Sequence, residues 1–425
     1  MEYKNLKEIT TKIASGSTPR GGKNSYTDNG PIALIRSQNI YNNNFTRKGL
    51  AYINNEQAKK LENVEIHKDD ILINITGDSV ARVTMVDSSI LPARVNQHVM
   101  IIRPEESKVN KYYLLAYLSS NTVQKTLIHL ASDGATRPAL TKRDLETFKI
   151  PNLTFKTQEY IGNLLKYINE KIEVNKKVIV NLEGLSQTLF KRWFVDFEFP
   201  NKDSNPYKSS GGEMVDSELG EIPKEWQVVK LETLIDNIKD RINAKSVSSN
   251  FPYVPIDLIP KRKLTFYNYK DGKEAKSSLI KFKRNDILLG NMRVYFHRVC
   301  LAPFEGLTRN TVFTLRPKNE KYTYYLIHLI NKDEFIEYAS NNSKGSTMPY
   351  AVWEGVLDKI KVIKPPLNYL NQFNSKIKNN FELSISLLEQ NRKLATLRDT
   401  LLPKLMSGEI EIPDDIEVNM DELSI

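Results

Sequence analysis

From residue 161 to residue 193 seam positions return at alternating steps of four and three: Ile161, Leu165, Ile168, Ile172, Asn175, Ile179, Leu182, Ser186, Leu189 and Trp193. A 3.5-residue repeat held for more than four heptads predicts a long helix with a coiled-coil seam. A second, more polar seam follows at Phe373, Ile377, Asn380, Ser384, Leu387, Asn391, Leu394, Arg398, Leu401 and Leu405. Laid antiparallel with Asn175 opposite Asn391, the seams pair Ile172 with Leu394, Ile179 with Leu387, Leu165 with Leu401, Ile161 with Leu405 and Trp193 with Phe373. One Asn layer between aliphatic layers is a device that sets helix register at a cost in stability. A helix of about 33 residues is roughly 50 Å long. The pair is therefore expected to act as a caliper between whatever flanks it.

The remaining pattern changes to short apolar runs. Pro31 to Ser37, Asp70 to Ile75, Arg82 to Val86 and Asn96 to Arg103 read as strands, and so do Tyr253 to Asp257, Asp286 to Leu289, Arg298 to Ala302 and Asn310 to Arg316. Helical stretches follow each set, around Lys111 to Leu130 and Tyr322 to Ser340. The two sets are copies. Asp70-Ile71-Leu72 recurs as Asp286-Ile287-Leu288, Arg103-Pro104 as Arg316-Pro317, and Tyr112-Tyr113-Leu114 as Tyr324-Tyr325-Leu326. Gly134-x-Thr136-x-Pro138 recurs as Gly345-x-Thr347-x-Pro349, and Leu182-x-x-Leu185-x-x-Thr188-Leu189 as Leu394-x-x-Leu397-x-x-Thr400-Leu401. Offsets that scarcely drift identify a tandem duplication. The expected fold is α+β: two similar globular domains with pseudo-twofold repetition, separated by two long antiparallel coiled-coil helices. The boundaries are 1–152 for the first domain, 153–198 for its helix, 199–216 for a Pro/Ser/Gly-rich linker, 217–366 for the second domain, 367–408 for its helix and 409–425 for an acidic tail.

Charge adds a partner. The chain has 61 Lys and Arg against 51 Asp and Glu, and seven of the acids lie beyond the last basic residue, Lys404. The preceding body carries +17, an excess suited to a polyanion whose counterions are released on binding. A lone Cys300 excludes an internal disulfide and cysteine zinc sites, and no stretch is long and apolar enough for a signal peptide or a membrane span. A cytoplasmic protein is expected.

Catalytic signatures are sparse. The loop Gly16-Ser17-Thr18-Pro19-Arg20-Gly21-Gly22-Lys23-Asn24 misses the phosphate-binding loop spacing by one residue and ends in Asn. The five histidines lack ligand spacing, so no metal site is expected. Asp257 with Glu274-Ala275-Lys276 has the order of a D…ExK metal nuclease. A self-contained nuclease and a coiled-coil scaffold without a DNA role stand as the alternatives to a DNA-binding protein.

Several strings together resemble a known family. Glu218-Leu219-Gly220-Glu221-Ile222-Pro223-Lys224-Glu225-Trp226 opens the second half, and Lys191-Arg192-Trp193-Phe194-Val195-Asp196-Phe197 closes the first. Leu401-Leu402-Pro403-Lys404-Leu405-Met406-Ser407-Gly408-Glu409-Ile410 closes the second. With Gly16-Ser17-Thr18-Pro19 and the Gly-x-Thr-x-Pro loops, the chain resembles the specificity subunit of type I restriction-modification systems. The first half lacks the Leu-Gly-x-Ile-Pro-x-x-Trp lead-in. The resemblance implies two target recognition domains, each reading half of a split double-stranded DNA sequence, and central helices that dock methyltransferase subunits. It further implies no catalysis and no cofactor of the chain's own. S-adenosylmethionine, ATP and magnesium would be used by two methyltransferase and two restriction/motor subunits.

Candidate DNA contacts follow from side-chain chemistry. Arg pairs with guanine, and Asn or Gln with adenine, while hydroxyls and backbone amides suit phosphate. On that basis Arg36, Ser37, Gln38 and Asn39 after one strand, and Arg94, Asn96 and Gln97 before another, are candidates. So are Thr136, Arg137, Lys142 and Arg143 in the first half, and Arg293, Arg298, Arg309, Asn310, Lys344, Ser346 and Thr347 in the second.

Overall fold

The computed structural model describes residues 2–18, 26–132, 137–276, 279–407 and 409–410. The chain divides into two compact units, one formed by residues up to Ile172 with the chain from Lys393 onward, the other by Glu173–Arg392. Each is built from the repeat seen in the sequence.

In the first unit a four-stranded antiparallel sheet runs Thr10–Ser15, Val99–Pro104, Ile71–Asn74, Val83–Met85. A second sheet orders Ala51–Ile53, Ile32–Ile35 and Ala93–Val95, the last two parallel. In the second unit the equivalent four strands are Ile235–Ile238, Val312–Pro317, Ile287–Gly290 and Val299–Leu301, in the same order. A five-stranded sheet replaces the three-stranded one. The central strands Ile71–Asn74 and Ile287–Gly290 are buried at every position, so apart from the buried Asn74 they read as apolar runs instead of alternating ones.

The repeated Asp and Arg are a buried ion pair. Asp70 is fully buried and accepts from Arg103 Nε at 2.7 Å and Nη2 at 2.8 Å, and from the His67 backbone N–H at 2.7 Å. Asp286 accepts from Arg316 Nε and Nη2, both at 2.7 Å, and from the Lys283 N–H at 2.7 Å. That bond to Asp286 holds the Arg316 guanidinium above its ordinary pKa. With its lone pairs satisfied from several sides, each buried carboxylate ties the start of its central strand to the neighbouring strand and to the turn before it.

Both long helices are present, Phe155–Phe190 and Leu367–Ser407. Each gives part of its length to each unit, so the segments 153–198 and 367–408 are not free-standing spacers. Ile161, Leu165, Ile168 and Ile172 share a core with Tyr113, Leu127, Leu402, Leu405 and Met406 in the first unit. In the second, Asn175 Nδ2 donates to Asn391 Oδ1 at 2.9 Å and to Gln390 Oε1 at 2.7 Å, and Trp193 meets Phe373 at 5.9 Å between centroids. These two contacts require an antiparallel pairing with Asn opposite Asn. The stretch 199–216, expected as a linker, is anchored at its start by a buried aromatic and is otherwise mostly exposed. Phe199 is fully buried, stacked between Tyr207 and Trp226 at 4.6 and 5.0 Å, and its carbonyl accepts from the Tyr207 N–H at 2.9 Å. Three aromatics override the Pro/Ser/Gly composition around them.

Candidate nucleic-acid interface

At one end of each central strand three chain segments are tied by backbone hydrogen bonds. In the second unit Asn291 follows strand Ile287–Gly290. Its N–H donates to the Thr311 carbonyl at 2.9 Å, its carbonyl accepts from the Ala351 N–H at 2.8 Å, and its side chain donates to the Asn310 carbonyl at 2.7 Å. The Arg293 N–H donates to the Pro349 carbonyl at 2.7 Å, and Lys344 and Tyr350 exchange both backbone bonds at 2.9 Å. The first unit repeats the junction. Ile75 N–H donates to the His98 carbonyl at 3.0 Å, Leu140 N–H to the Ile75 carbonyl at 2.8 Å, and Gly77 N–H to the Pro138 carbonyl at 3.1 Å.

Left-handed backbone recurs in step with these bonds. Asp69, Gly77 and Ala81 have φ of 69°, 72° and 70°, and their counterparts Asn285, Arg293 and His297 have 70°, 49° and 55°. At Gly77 that conformation is free of Cβ strain, whereas an Arg in the same place costs on the order of 1 kcal/mol.

Around the junction of the second unit the sequence candidates come together. Arg309, Asn310, Lys344, Ser346 and Thr347 are exposed and Arg293 is half-exposed. Gly345, at φ 89°, supplies the turn that lets Lys344 and Tyr350 face each other. In the first unit Arg137, Lys142 and Arg143 are exposed beside the equivalent junction. Lys142 opens the short helix Lys142–Glu146 and lies 3.5 Å from Glu146, and Thr141 caps that helix with Asp144. Thr136 lies outside the described residues.

Other candidates are turned into the fold. Asn39 is fully buried: its Oδ1 accepts from the Arg36 N–H at 3.1 Å and its Nδ2 donates to the Thr46 carbonyl at 3.0 Å. Arg36 donates from Nη2 to the Gly49 carbonyl at 2.7 Å, and the backbone carbonyl of the half-buried Ser37 accepts from Asn74 Nδ2 at 2.9 Å. Gln38, although exposed, also donates to Gly49. Arg94 is buried, donates to the Ala93 carbonyl at 3.0 Å and lies 3.5 Å from Glu65. Asn96 is buried and accepts from the His98 N–H at 3.1 Å, with Gln97 half-buried beside the same imidazole at 3.0 Å. Arg298 donates to the carbonyls of Ile256 at 2.9 Å, Asp257 at 3.1 Å and Ile259, which pins the turn Ile256–Leu258. Gln38 is exposed and Arg36, Ser37, Gln97 and Arg298 are half-exposed, whereas Asn39, Arg94 and Asn96 are buried parts of the scaffold. Gly16 belongs with them, because a Cβ there would stand 1.8 Å from the Val95 carbonyl oxygen.

Sequence reasoning missed three apolar side chains on the same face of the second unit. Tyr295, Met348 and Tyr350 are 50%, 51% and 47% exposed within the loops just described. Exposed aromatics next to cations are a nucleic-acid signature, and the signal was present in the interleaving of Arg293, Tyr295, Lys344 and Tyr350. Glu274 caps Asp271 in a short turn, and among the described residues no group of three His, Cys, Asp or Glu side chains could hold a metal ion.

Comparison with known proteins decides the family. The family described as type I restriction modification DNA specificity domain matches residues 1–184 and again 223–397. The chain belongs to this family. It is 28% identical over 97% of its length to the specificity subunit of the type I restriction enzyme MjaIX of Methanocaldococcus jannaschii, covering 94% of that protein. It is 23% identical over 89% of its length to the HindI specificity subunit of Haemophilus influenzae, of which 94% is covered. The crystal structure of a type I restriction-modification S subunit from M. genitalium superposes with a TM-score of 0.60 over 95% of both chains at 11% identity, a likeness of fold. Each of the two family matches contains one copy of the junction. Among the described residues no helix is long and apolar enough to cross a membrane.

Proposed function

We propose that this specificity subunit reads a bipartite double-stranded DNA target, one half-site per domain, and docks methyltransferase subunits on its long helices. The observation that carries the reading is the duplicated junction, with Arg137, Lys142 and Arg143 exposed at one copy, and Arg309 and Lys344 exposed and Arg293 half-exposed at the other. Cations there would neutralise phosphates, while side chains on the rims reach base edges. Docking is supported by apolar residues that the helices leave uncovered. Val174, Val180, Leu185 and Leu383 in the second unit are about half exposed or more, and so is Leu397 in the first. Partner helices laid on such positions would bury them.

The chain itself then supplies recognition, not chemistry. S-adenosylmethionine would serve the methyltransferase partners, and ATP and magnesium the motor partners, two of each in the full complex. The test is a genome-wide map of methyladenine in cells with and without the gene. A split motif that vanishes with the gene is expected; an uninterrupted motif, or no change, refutes the half-site reading.

A further inference from the structure

Both domains raise the same short turn between two strands of the central sheet. In the first it is Gly77–Ala81, between Ile71–Asn74 and Val83–Met85; in the second it is Arg293–His297, between Ile287–Gly290 and Val299–Leu301. Each turn begins and ends on a left-handed residue, and each is closed by an N–H to carbonyl bond three residues back, Val80 to Gly77 at 2.9 Å and Phe296 to Arg293 at 2.8 Å. Each is also held from outside by the Pro138 or Pro349 carbonyl. The frame is thus the same, but the side chains are not: Gly-Asp-Ser-Val-Ala in one domain, Arg-Val-Tyr-Phe-His in the other.

What points outward differs accordingly. The first turn exposes Asp78 and buries Val80, whereas the second buries Val294 and exposes Tyr295, with Phe296 half-buried beneath the Lys261 ammonium at 4.0 Å. Neither the Asp78 carboxylate nor the Arg293 guanidinium makes a side-chain hydrogen bond or ion pair among the described residues. Arg293 moreover occupies a left-handed position where the sister domain has glycine. A strained residue whose side chain makes no hydrogen bond or ion pair among the described residues is placed to meet a group outside the chain.

We infer that this turn sets base preference in each domain, a reading that rests on the half-site function proposed above. Asp78 is the acceptor suited to the exocyclic amine of cytosine, and Arg293 the donor pair suited to guanine, with Tyr295 supplying an apolar face against the neighbouring nucleotide. Specificity is changed by exchanging five side chains on a constant frame.

The experiment is selection of bound sequences from a random double-stranded DNA pool by the full-length chain co-expressed with its adenine methyltransferase. Wild type is expected to enrich a split motif. Arg293→Gly and Tyr295→Ala should each lower discrimination in one half-site by about tenfold or more at one or more positions, and Asp78→Ala should do so only in the other. Arg293→Gly removes backbone strain, so its melting temperature should rise by about 2–4 °C while specificity falls. Tyr295→Ala, at an exposed position, keeps the test independent of that effect. Unchanged motifs in all three variants, or Asp78→Ala and Arg293→Gly acting on the same half-site, overturn the inference and leave the half-site reading standing. A wild-type chain that enriches no split motif overturns that reading itself.

Discussion

His328 is a titratable group enclosed by aromatic rings: Phe190 stacks on it at 5.2 Å, and Phe373 and Phe381 approach edge-on at 6.0 and 5.8 Å. Its Nδ1 lies 2.7 Å from the Tyr324 carbonyl, and its Nε2 lies 3.1 Å from the Ser186 hydroxyl, which itself donates to the Glu183 carbonyl. Burial pushes its pKa down to about 4, against a partial rise from the Tyr324 carbonyl. Because the folded value lies below the ordinary 6.5, the unfolded chain binds more protons between those limits. Stability is complete above pH 6.5 and lost as pH falls towards 4, by about 3 kcal/mol. Urea titrations of wild type and His328→Leu over that range should diverge by this amount, and parallel curves would show the imidazole to be charged in the fold. The same scale explains the discarded candidates. Asn39 and Arg298 have the chemistry of base-reading residues, but only the tertiary contacts reveal that they donate to backbone carbonyls of their own domain.

Among the elements, the long helices were the most legible, since a 3.5-residue seam needs no tertiary context to be recognised. Asn175 is 2% exposed in the layer it forms with Asn391. Replacing Asn391 alone by Leu removes one partner of a buried amide and should cost about 1–2 kcal/mol. Replacing both by Leu removes the mismatch and should return stability to wild type or above, with looser helix register. A double-mutant cycle in urea measures this, and additive losses would show that the two amides do not interact. Glu183 was illegible by contrast. It sits on the first long helix outside the seam, buried, where its Oε1 accepts from the N–H groups of Leu264 and Thr265 at 2.9 and 3.0 Å and the Thr265 hydroxyl at 2.8 Å. Nothing in a helical repeat marks a carboxylate that clamps a distant loop.

For the whole molecule, the constant offset between repeats, +17 on the body and the closing strings of each half already pointed to a duplicated DNA-recognition chain, and the double family match states the same. The proposed half-site reading makes helix length a ruler. Deleting one heptad from each long helix keeps the seam in phase and removes about 10 Å, close to three base pairs of spacer. The methylation map of such a variant should show both half-sites unchanged and the gap shortened; altered half-site bases with an unchanged gap would contradict it.

The sequence by itself determined the duplication, the fold class, the helical seams and the asparagine register, because each is a periodicity or a local pattern carried along one dimension. Tertiary structure decided which polar side chains face outward, that Phe199 anchors the segment 199–216, and that both long helices belong to the domain cores. Those outcomes depend on burial and on contacts between residues far apart in the chain, where an identical Arg either pins a turn, as Arg298 does, or sits half-exposed at a left-handed corner, as Arg293 does.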